Sequence, residues 1–488
     1  MNKAIVIGSG IAGLASALRL RAKGLEVEVF EANNYPGGKL HAFESKGFRF
    51  DYGPSLFTMP QYVDELFQLF EEDPRKYFNY SRRESICNYF WEDGTTFTAH
   101  SDVNQFINDA SKAFNEHPET IKSYLSNSAD KYDLTAKLFL EKSLHKASTY
   151  FSKEALKGVM NSNRLDLTKS LDKVNKKYFD NPKLIQLFNR YATYNGSNPY
   201  RTPGIMSLIP QLEMRFGTYY PHGGMHAISQ SLFLLAESRG IKFHFNSKVE
   251  KVIHESHEVR GVRAADKIHE ADKVICNMDI FSAYQTILKD VKKPKRVLKQ
   301  ERSSSALIFY WGVNRTFKEL DLHNIFFAKN YKKEFDLIFK EKTITDDPTV
   351  YINITSKGDP DHAPPGCENW FVMINTPGNK GQDWEKIKRE AKQNILMKLS
   401  GILKKEIAPM IVTEEILDPL RIENDTLSHE GSLYGTSSNS KFAAFLRHPN
   451  FSSSIRNLFF CGGSAHPGGG IPLCLLSAKI VADFIPHS

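Results

Sequence analysis

The sequence predicts an α/β protein whose Rossmann-like domain is assembled from separated segments, with an α+β domain and a mainly helical segment between them. Three observations predict it. The chain opens on an apolar run and a glycine cluster, Ala4-Ile-Val-Ile-Gly8-Ser-Gly10-Ile11-Ala12-Gly13, and an acid, Glu31, closes the next apolar run. It ends on a second set of the same kind: the run Asn457 to Cys461, the glycine loop Gly462 to Pro472 and a helix from Leu473 to Phe484. Its 488 residues exceed what one hydrophobic core usually serves, so two or three domains are expected.

The first element reads as strand, turn, helix and strand, with the helix over Leu14 to Arg21. Gly8 makes the turn, Gly10 lets backbone approach a pyrophosphate, Gly13 allows close helix packing, and Glu31 is placed to accept both ribose hydroxyls. Phosphates are expected on the helix N-terminus, where free N–H groups and the dipole favour negative charge. The strand before, the helix after and the spacing of the acid together argue against an ordinary βα turn. Next comes the connector Tyr35-Pro36-Gly37-Gly38-Lys39-Leu40. Its bare backbone and its cation make it either a second lip for the pyrophosphate or a plain surface turn.

Residues 105 to 190 read as mainly helical. Lys131 to Met160 holds six lysines against three acids, interleaved with apolar residues that include Leu138, Phe139, Leu144, Tyr150, Phe151, Leu156, Val159 and Met160. Such a stretch either lies flat on anionic lipid or is an exposed helix with one face on the core and a solvated basic face. Turn character returns at Gly217 to Met225, followed by a helix over Ala227 to Ser238. The strand-like runs Lys242 to Phe245, Lys248 to Ile253 and Lys273 to Cys276 read as a return to the first sheet, ending at Asn277. Between residues 290 and 440 lies a further α/β region. The basic run Lys292 to Arg296 is read as solvated surface. The aromatic strand Ala306 to Trp311 is either sheet core or the floor of an apolar tunnel.

Composition excludes several classes. With 41% hydrophobic and 25% charged residues the chain is an ordinary globular one, and no run of about 20 apolar residues spans a bilayer, so membrane contact, if any, is at the surface. A net charge of +8 assists contact with anionic lipid; without an accompanying motif it does not indicate nucleic acid. The five cysteines are scattered and never arranged as CxxC, which fits reduced thiols in a cytosolic setting and no metal site. The N-terminal apolar run is too short for a secretory segment and is read as a strand.

Several blocks together carry a resemblance. They are Gly8 to Gly13 with Glu31, Pro36-Gly-Gly-Lys39, Phe50-Asp-Tyr-Gly-Pro-Ser55, Tyr220-Pro-His-Gly-Gly224, Asp359 to Gly366, Gly431-Ser-Leu-Tyr-Gly435 and His466-Pro-Gly-Gly-Gly-Ile-Pro472. The chain resembles, over its whole length, the flavoprotein desaturases of carotenoid biosynthesis, the bacterial phytoene desaturase family. Gly37-Gly-Lys39 followed by Gly53 to Gln61 looks most like the branch that 3,4-desaturates hydroxylated carotenoids.

The resemblance implies a flavin amine oxidase or GDP-dissociation-inhibitor-like architecture and non-covalent FAD. Residues 1–75, 215–285 and 445–488 would form the FAD-binding domain, 76–104 and 286–444 the substrate domain, and 105–214 a helical, membrane-facing subdomain. Carried over by position, Glu31 takes the adenosine ribose, Gly8, Gly10, Ile11, Ala12, Gly13, Gly37, Gly38, Lys39 and Leu40 surround the pyrophosphate, and Val249 and Asn277 lie beside the nucleotide. Gly462, Gly463, Gly470, Ile471 and Pro472 approach the ribityl chain and ring, with Tyr52, Gly53, Pro54 and Ser55 on the ring's other side. Gly463 stands where many relatives carry an acid. The implied substrate is a hydrophobic carotenoid drawn from a membrane, with oxygen or a quinone reoxidising the flavin. No pyridine-nucleotide site is seen, and the place in the cell is cytoplasmic, against the inner face of the membrane. Tyr194, Asn195, Tyr434 and His466 are the polar candidates for catalysis, though a satisfied hydrogen bond is the plainer reading of each. The alternatives are a phytoene desaturase, a flavin amine oxidase or protoporphyrinogen oxidase, and a non-catalytic lipid carrier of the GDP-dissociation-inhibitor type.

Overall fold

The computed structural model describes residues 2–151, 158, 160–440, 443 and 445–487. Its first sheet is parallel and five-stranded, in the order Leu458–Phe460, Lys273–Cys276, Lys3–Ile7, Glu26–Phe30 and Lys242–His244. The two ends of the chain therefore lie in one sheet. Both faces of the N-terminal strand are covered, as its unbroken apolar run requires of a parallel sheet. Ala4 and Val6 pack with the helices Ile11–Ala22 and Ile471–Asp483, while Ile5 and Ile7 face a separate antiparallel sheet.

That second sheet corrects one reading of the sequence. Lys242–His244 and Lys273–Cys276 join the first sheet, but the run from Lys248 does not: Val249–Glu255, Glu258–Ala264 and Lys267–Glu270 form a three-stranded meander. Ser256 and His257, at φ 49° and 62°, and Ala265 and Asp266, at 48° and 60°, close two-residue turns with left-handed backbone. Such turns join antiparallel neighbours, whereas parallel strands need a long crossover.

A seven-stranded sheet makes the second layer, in the order Ile411–Leu417, Ser305–Val313, Glu368–Thr376, Val350–Ile354, His323–Phe326, Ser85–Phe90 and Thr96–His100. The strand Ser305–Val313, second from one edge, combines both readings of the aromatic run. Leu307, Phe309, Trp311 and Val313 pack on the helix Trp384–Leu403, whereas Ala306, Ile308 and Tyr310 face the other way, into a cluster with Phe50, Tyr52 and Phe371, from which Ile308 reaches the interior cavity. Period-two alternation turns one strand into core on one side and cavity wall on the other.

The helical layer comprises Val103–Phe114, Pro118–Phe139, Leu171–Tyr178 and Pro182–Asn189, with short 3₁₀ turns after them. Asp102 caps the first of these at Gln105 N–H (2.7 Å), and Pro118 occupies the first turn of the second, where its missing donor costs nothing. The basic stretch begins inward. Lys131 is buried, its Nζ 2.8 Å from both Asp166 Oδ2 and Ser207 Oγ, and Tyr132, Ala136, Phe139, Leu140 and Leu144 line the interior cavity. Tyr150, Phe151 and Met160 are exposed; Leu156 and Val159 lie outside the described residues. Among the described residues no helix is long and apolar enough to cross a membrane, no cluster of His, Cys, Asp or Glu is placed to hold a metal, and all five cysteines are free.

Candidate functional site

One cavity of about 710 Å³ runs between the layers and touches segments from both ends of the chain and its middle. At one end is the first glycine turn. Gly8 has φ +90°, and a Cβ placed on Gly13 would stand 2.0 Å from the Gly8 carbonyl oxygen, so strand and helix meet at a distance only glycine permits. Gly10 sits extended at the helix N-terminus, without a side-chain cap and without an acid in the first turn. The Asn277 carboxamide oxygen, in its hydrogen-bond-consistent orientation, accepts from Gly10 N–H (3.3 Å) and Gly13 N–H (3.2 Å). Ile11 and Ala12 line the cavity, and the N–H groups of a first helical turn have no intrahelical carbonyl to meet. Their orientation suits a diphosphate.

The second glycine pair is part of the same cradle. Gly37 bridges Gly10, its N–H donating to Ser9 O at 2.9 Å, and a Cβ on Gly38 would touch Gly10 Cα at 3.4 Å. Leu40 and Lys39 follow along the cavity wall. Lys39, partly buried on the cavity wall, donates from Nζ to the carbonyls of Ser432 (3.3 Å) and Leu433 (3.2 Å); desolvation lowers its pKa to about 8, against a smaller upward pull from Asp279. A partly buried cation beside the cradle matches an anionic ligand.

Glu31, buried and lining the cavity, is held by its own backbone surroundings. Oε2 accepts from Ser9 N–H and Ser9 Oγ, both at 2.7 Å, and Oε1 accepts from Asn33 N–H at 2.9 Å. An ionised carboxylate offers about four acceptor positions. One, on Oε1, is left for a ribose hydroxyl. Val249 lies on the cavity wall at the start of its strand, beside Lys248.

The C-terminal loop closes the other side. Gly435 and Gly469 have no room for a side chain: a Cβ on the first would stand 2.7 Å from Ser464 Cβ, and on the second 2.9 Å from Tyr434 Cα. The Gly431 to Gly435 block and the His466 to Pro472 block are thus in backbone contact. Arg447, absent from the sequence reading, ties them together by donating to Tyr434 O (3.1 Å) and Gly463 O (3.5 Å). Gly462, Gly463, Gly470, Ile471 and Pro472 all line the cavity, and the closing helix starts at Ile471 rather than Leu473, with Pro472 in its first turn. Tyr52, Gly53, Pro54 and Ser55 line the same cavity; Tyr52 donates to the Asp425 carboxylate, another partner the sequence did not reveal.

Two motif blocks lie elsewhere. Asp51 accepts from Met225 N–H (2.9 Å) and His226 N–H (3.0 Å), and Asp359 accepts from Tyr220 Oη (3.0 Å) and Gly223 N–H (2.6 Å). The Tyr220 to Gly224 and Asp359 to Gly366 blocks are structural joints that anchor the Phe48–Asp51 strand to the helix His226–Ser238.

The cavity also has apolar walls, with Ile308, Phe371 and Met373 on the sheet and Phe139, Leu140 and Leu212 on the helices. The four polar candidates all border it. Tyr194 donates to Glu213, which also accepts from Tyr191 Oη (2.5 Å) and pairs with Arg190 Nη2 (3.0 Å). Burial pushes the Tyr434 phenol up to about 12, which keeps it protonated at neutral pH. His466 is lowered to about 4 by burial, and its Nε2 lies 2.9 Å from the Lys142 carbonyl, tying the loop to the helical layer. Asn195 Oδ1 is buried and has no hydrogen-bond partner among the described residues. At neutral pH Tyr434 is therefore a protonated phenol and His466 a neutral imidazole whose Nε2 is already engaged. The Arg190–Glu213 pair was missed by sequence reading, though its signal is there: an arginine and a glutamate inside helical stretches of otherwise apolar spacing.

The profile of the flavin containing amine oxidoreductases matches residues 11–485. A protein of Flavobacterium sp. (strain P99-3), 1-hydroxycarotenoid 3,4-desaturase, is 59% identical over 488 residues, covering 100% of both chains. The 4,4'-diapolycopene oxygenase of Methylomonas sp. is 30% identical, over 99% of this chain and 98% of its own. Among solved structures, an oxidoreductase from Methanosarcina mazei superposes with a TM-score of 0.67 at 17% identity, over 99% of this chain and 100% of that one, a likeness of fold alone.

Proposed function

This chain belongs to the flavin containing amine oxidoreductase family, and from that premise we propose that it is an FAD-dependent carotenoid desaturase that forms the 3,4 double bond of a 1-hydroxylated carotenoid. The observation that carries the reading is the single cavity joining the glycine cradle to an apolar tunnel, in a chain 59% identical end to end to a desaturase of that name. The residues present fit the cofactor: the interlocked glycines admit a diphosphate, Lys39 supplies the counter-charge, and Glu31 keeps one acceptor free for a ribose.

FAD, when bound, supplies the two-electron acceptor. The protein's part is positional. Ile308, Phe371 and Met373 give a polyene an apolar wall that excludes water, and residues of the Gly462–Gly470 loop line the same cavity. Two C–H bonds break on adjacent carbons and a C=C bond forms; one hydrogen leaves with its electron pair and the other as a proton. Oxygen or a membrane quinone finally takes up the two electrons and two protons. Exposed Tyr150, Phe151 (89% exposed) and Met160 support contact of the helical layer with the membrane that holds the substrate.

The test is reconstitution with FAD in anionic liposomes loaded with a 1-hydroxylated acyclic carotenoid. The expected product carries one more conjugated double bond next to the hydroxylated end, with the protein recovered in the liposome pellet. Conversion of phytoene, or peroxide from a panel of amines, would replace this reading, and protein left in the supernatant would remove its membrane part.

Lys39 makes the cofactor affinity depend on pH. Its lowered pKa of about 8 means that the ammonium is charged below that pH and neutral above it. Attraction for a diphosphate is therefore complete below pH 8, and the FAD affinity of wild type falls towards about tenfold per pH unit above it. Lys39→Met should bind FAD more weakly at pH 7 and show no such slope; flavin fluorescence titrations from pH 6.5 to 9.5 read both.

A further inference from the structure

His323, on the cavity wall, carries a buried polar atom that the proposed reaction does not use. His323, 4% exposed, starts the strand His323–Phe326, and alternation along it sends His323 and Ile325 to the cavity. The ring is fixed from one side only. Nδ1 lies 2.7 Å from the Tyr351 hydroxyl and 3.3 Å from Asn353 Nδ2, while Nε2 is buried without a hydrogen-bond partner among the described residues. Burial lowers the imidazole pKa to about 3, so the ring is neutral. A buried polar group in a folded protein is ordinarily paired, and one left open on a cavity wall is expected to be met by the ligand.

The placement of this atom is informative. Tyr351 donates to Ser55 Oγ at 2.9 Å, and Ser55 belongs to the Tyr52–Ser55 segment on the same cavity. A short hydrogen-bonded relay therefore links the imidazole, through Nδ1, to a segment that the desaturase reading places beside the flavin. Asn195 Oδ1, also buried and unpaired among the described residues, borders the same cavity. Glu213 is engaged by Arg190, Tyr191 and Tyr194, and Tyr351 by His323 and Ser55; Arg190 Nε, which can only donate, is also without a hydrogen-bond partner among the described residues.

We propose that His323 Nε2, supported by Asn195, receives the tertiary hydroxyl of the carotenoid and thereby selects hydroxylated substrates and sets which bond is desaturated. This rests on the desaturase reading above. An alcohol both donates and accepts, so it pairs with Nε2 in either tautomer of the ring. In a 1-hydroxylated chain, carbon 3 is two bonds from the carbon bearing the hydroxyl, so a receptor for that hydroxyl has to lie close to the reacting carbons, as the Ser55 relay places it.

Paired assays on a 1-hydroxylated carotenoid and the same chain lacking the hydroxyl test the assignment. His323→Leu should lower kcat/KM for the hydroxylated substrate by about tenfold to a hundredfold, leave the other substrate unchanged, and scatter the position of the new double bond. His323→Gln should restore part of the preference. Flavin content and melting temperature report on folding, and Asn195→Leu, expected to move the same ratio in the same direction, serves if His323→Leu does not accumulate. Equal losses on both substrates, or an unchanged ratio, would overturn the assignment while leaving the desaturase reading in place. A wild type that desaturates neither substrate would overturn both.

Discussion

Gly13→Val should purify without flavin, lose desaturation, and melt well below wild type. The cause is geometric. A Cβ at this position lies 2.0 Å from Gly8 O and 3.1 Å from Gly8 C, both backbone atoms that no rotamer change can move aside. Ordinary contact begins at 3.4 Å, so the helix Ile11–Ala22 and the turn have to part by about 1.4 Å. That movement disrupts two things together. The helix leaves its core with Val6 and the closing helix, an overpacking cost of about 1–3 kcal/mol or more. It also pulls the first-turn N–H groups away from Gly37 and Gly38, which sit against Gly10. A hundredfold loss of FAD affinity corresponds to only about 2.7 kcal/mol, well within such a distortion. Gly401→Ala is the control, because its Cβ meets nothing within 4 Å on an exposed helix face; it should keep its flavin and gain up to about 1 kcal/mol. Absorbance ratios at the flavin and protein bands and melting curves separate the two. A Gly13→Val protein that retains stoichiometric flavin would mean that the cradle does not hold the diphosphate.

Gly13 also shows why this part of the molecule is legible in the sequence. Glycine spacing, the flanking apolar run and the acid at position 31 are local signals, and local geometry follows from them. The same holds for the closing helix and for the aromatic strand Ser305–Val313 of the large sheet, whose alternation fixes its two faces. What was not legible depends on contacts between distant segments. Arg447 is unremarkable in its own stretch, and becomes a strut only because residues 434 and 463 lie on either side of it. Glu31 reads as a free carboxylate until Ser9 and Asn33 are seen to occupy most of it. The blocks around Tyr220 and Asp359 look like site motifs in sequence, yet they meet each other and Asp51 away from the cavity. The meander from Val249 was hidden for a different reason: its turns use Ser, His, Ala and Asp at left-handed positions where glycine or asparagine is the usual signal.

Separating Arg190 from Glu213 should cost more stability than removing both. The two side chains are 7% and 2% exposed and meet at 3.0 Å, with Tyr191 and Tyr194 donating to the same carboxylate and the guanidinium 4.4 Å above the Tyr191 ring. Glu213→Leu leaves a buried guanidinium without its counter-charge, which costs about 3–5 kcal/mol, and strips two phenols of their acceptor. The melting temperature should fall by about 3–5 °C, the shift that this loss gives in a chain of 488 residues. Because both residues line the cavity, the stranded charge also draws water into a tunnel built for a polyene, so activity falls with stability. Replacing both, as Arg190→Met with Glu213→Leu, removes the uncompensated charge and leaves only the two tyrosines short of a partner. The double variant should therefore recover at least half of the stability lost by Glu213→Leu, a coupling of about 2 kcal/mol or more in the cycle. Chemical denaturation of wild type, both single variants and the double variant measures it directly. Additive losses would show that the pair is not a compensated buried charge, and that the tunnel wall at this point is wetter than its burial implies.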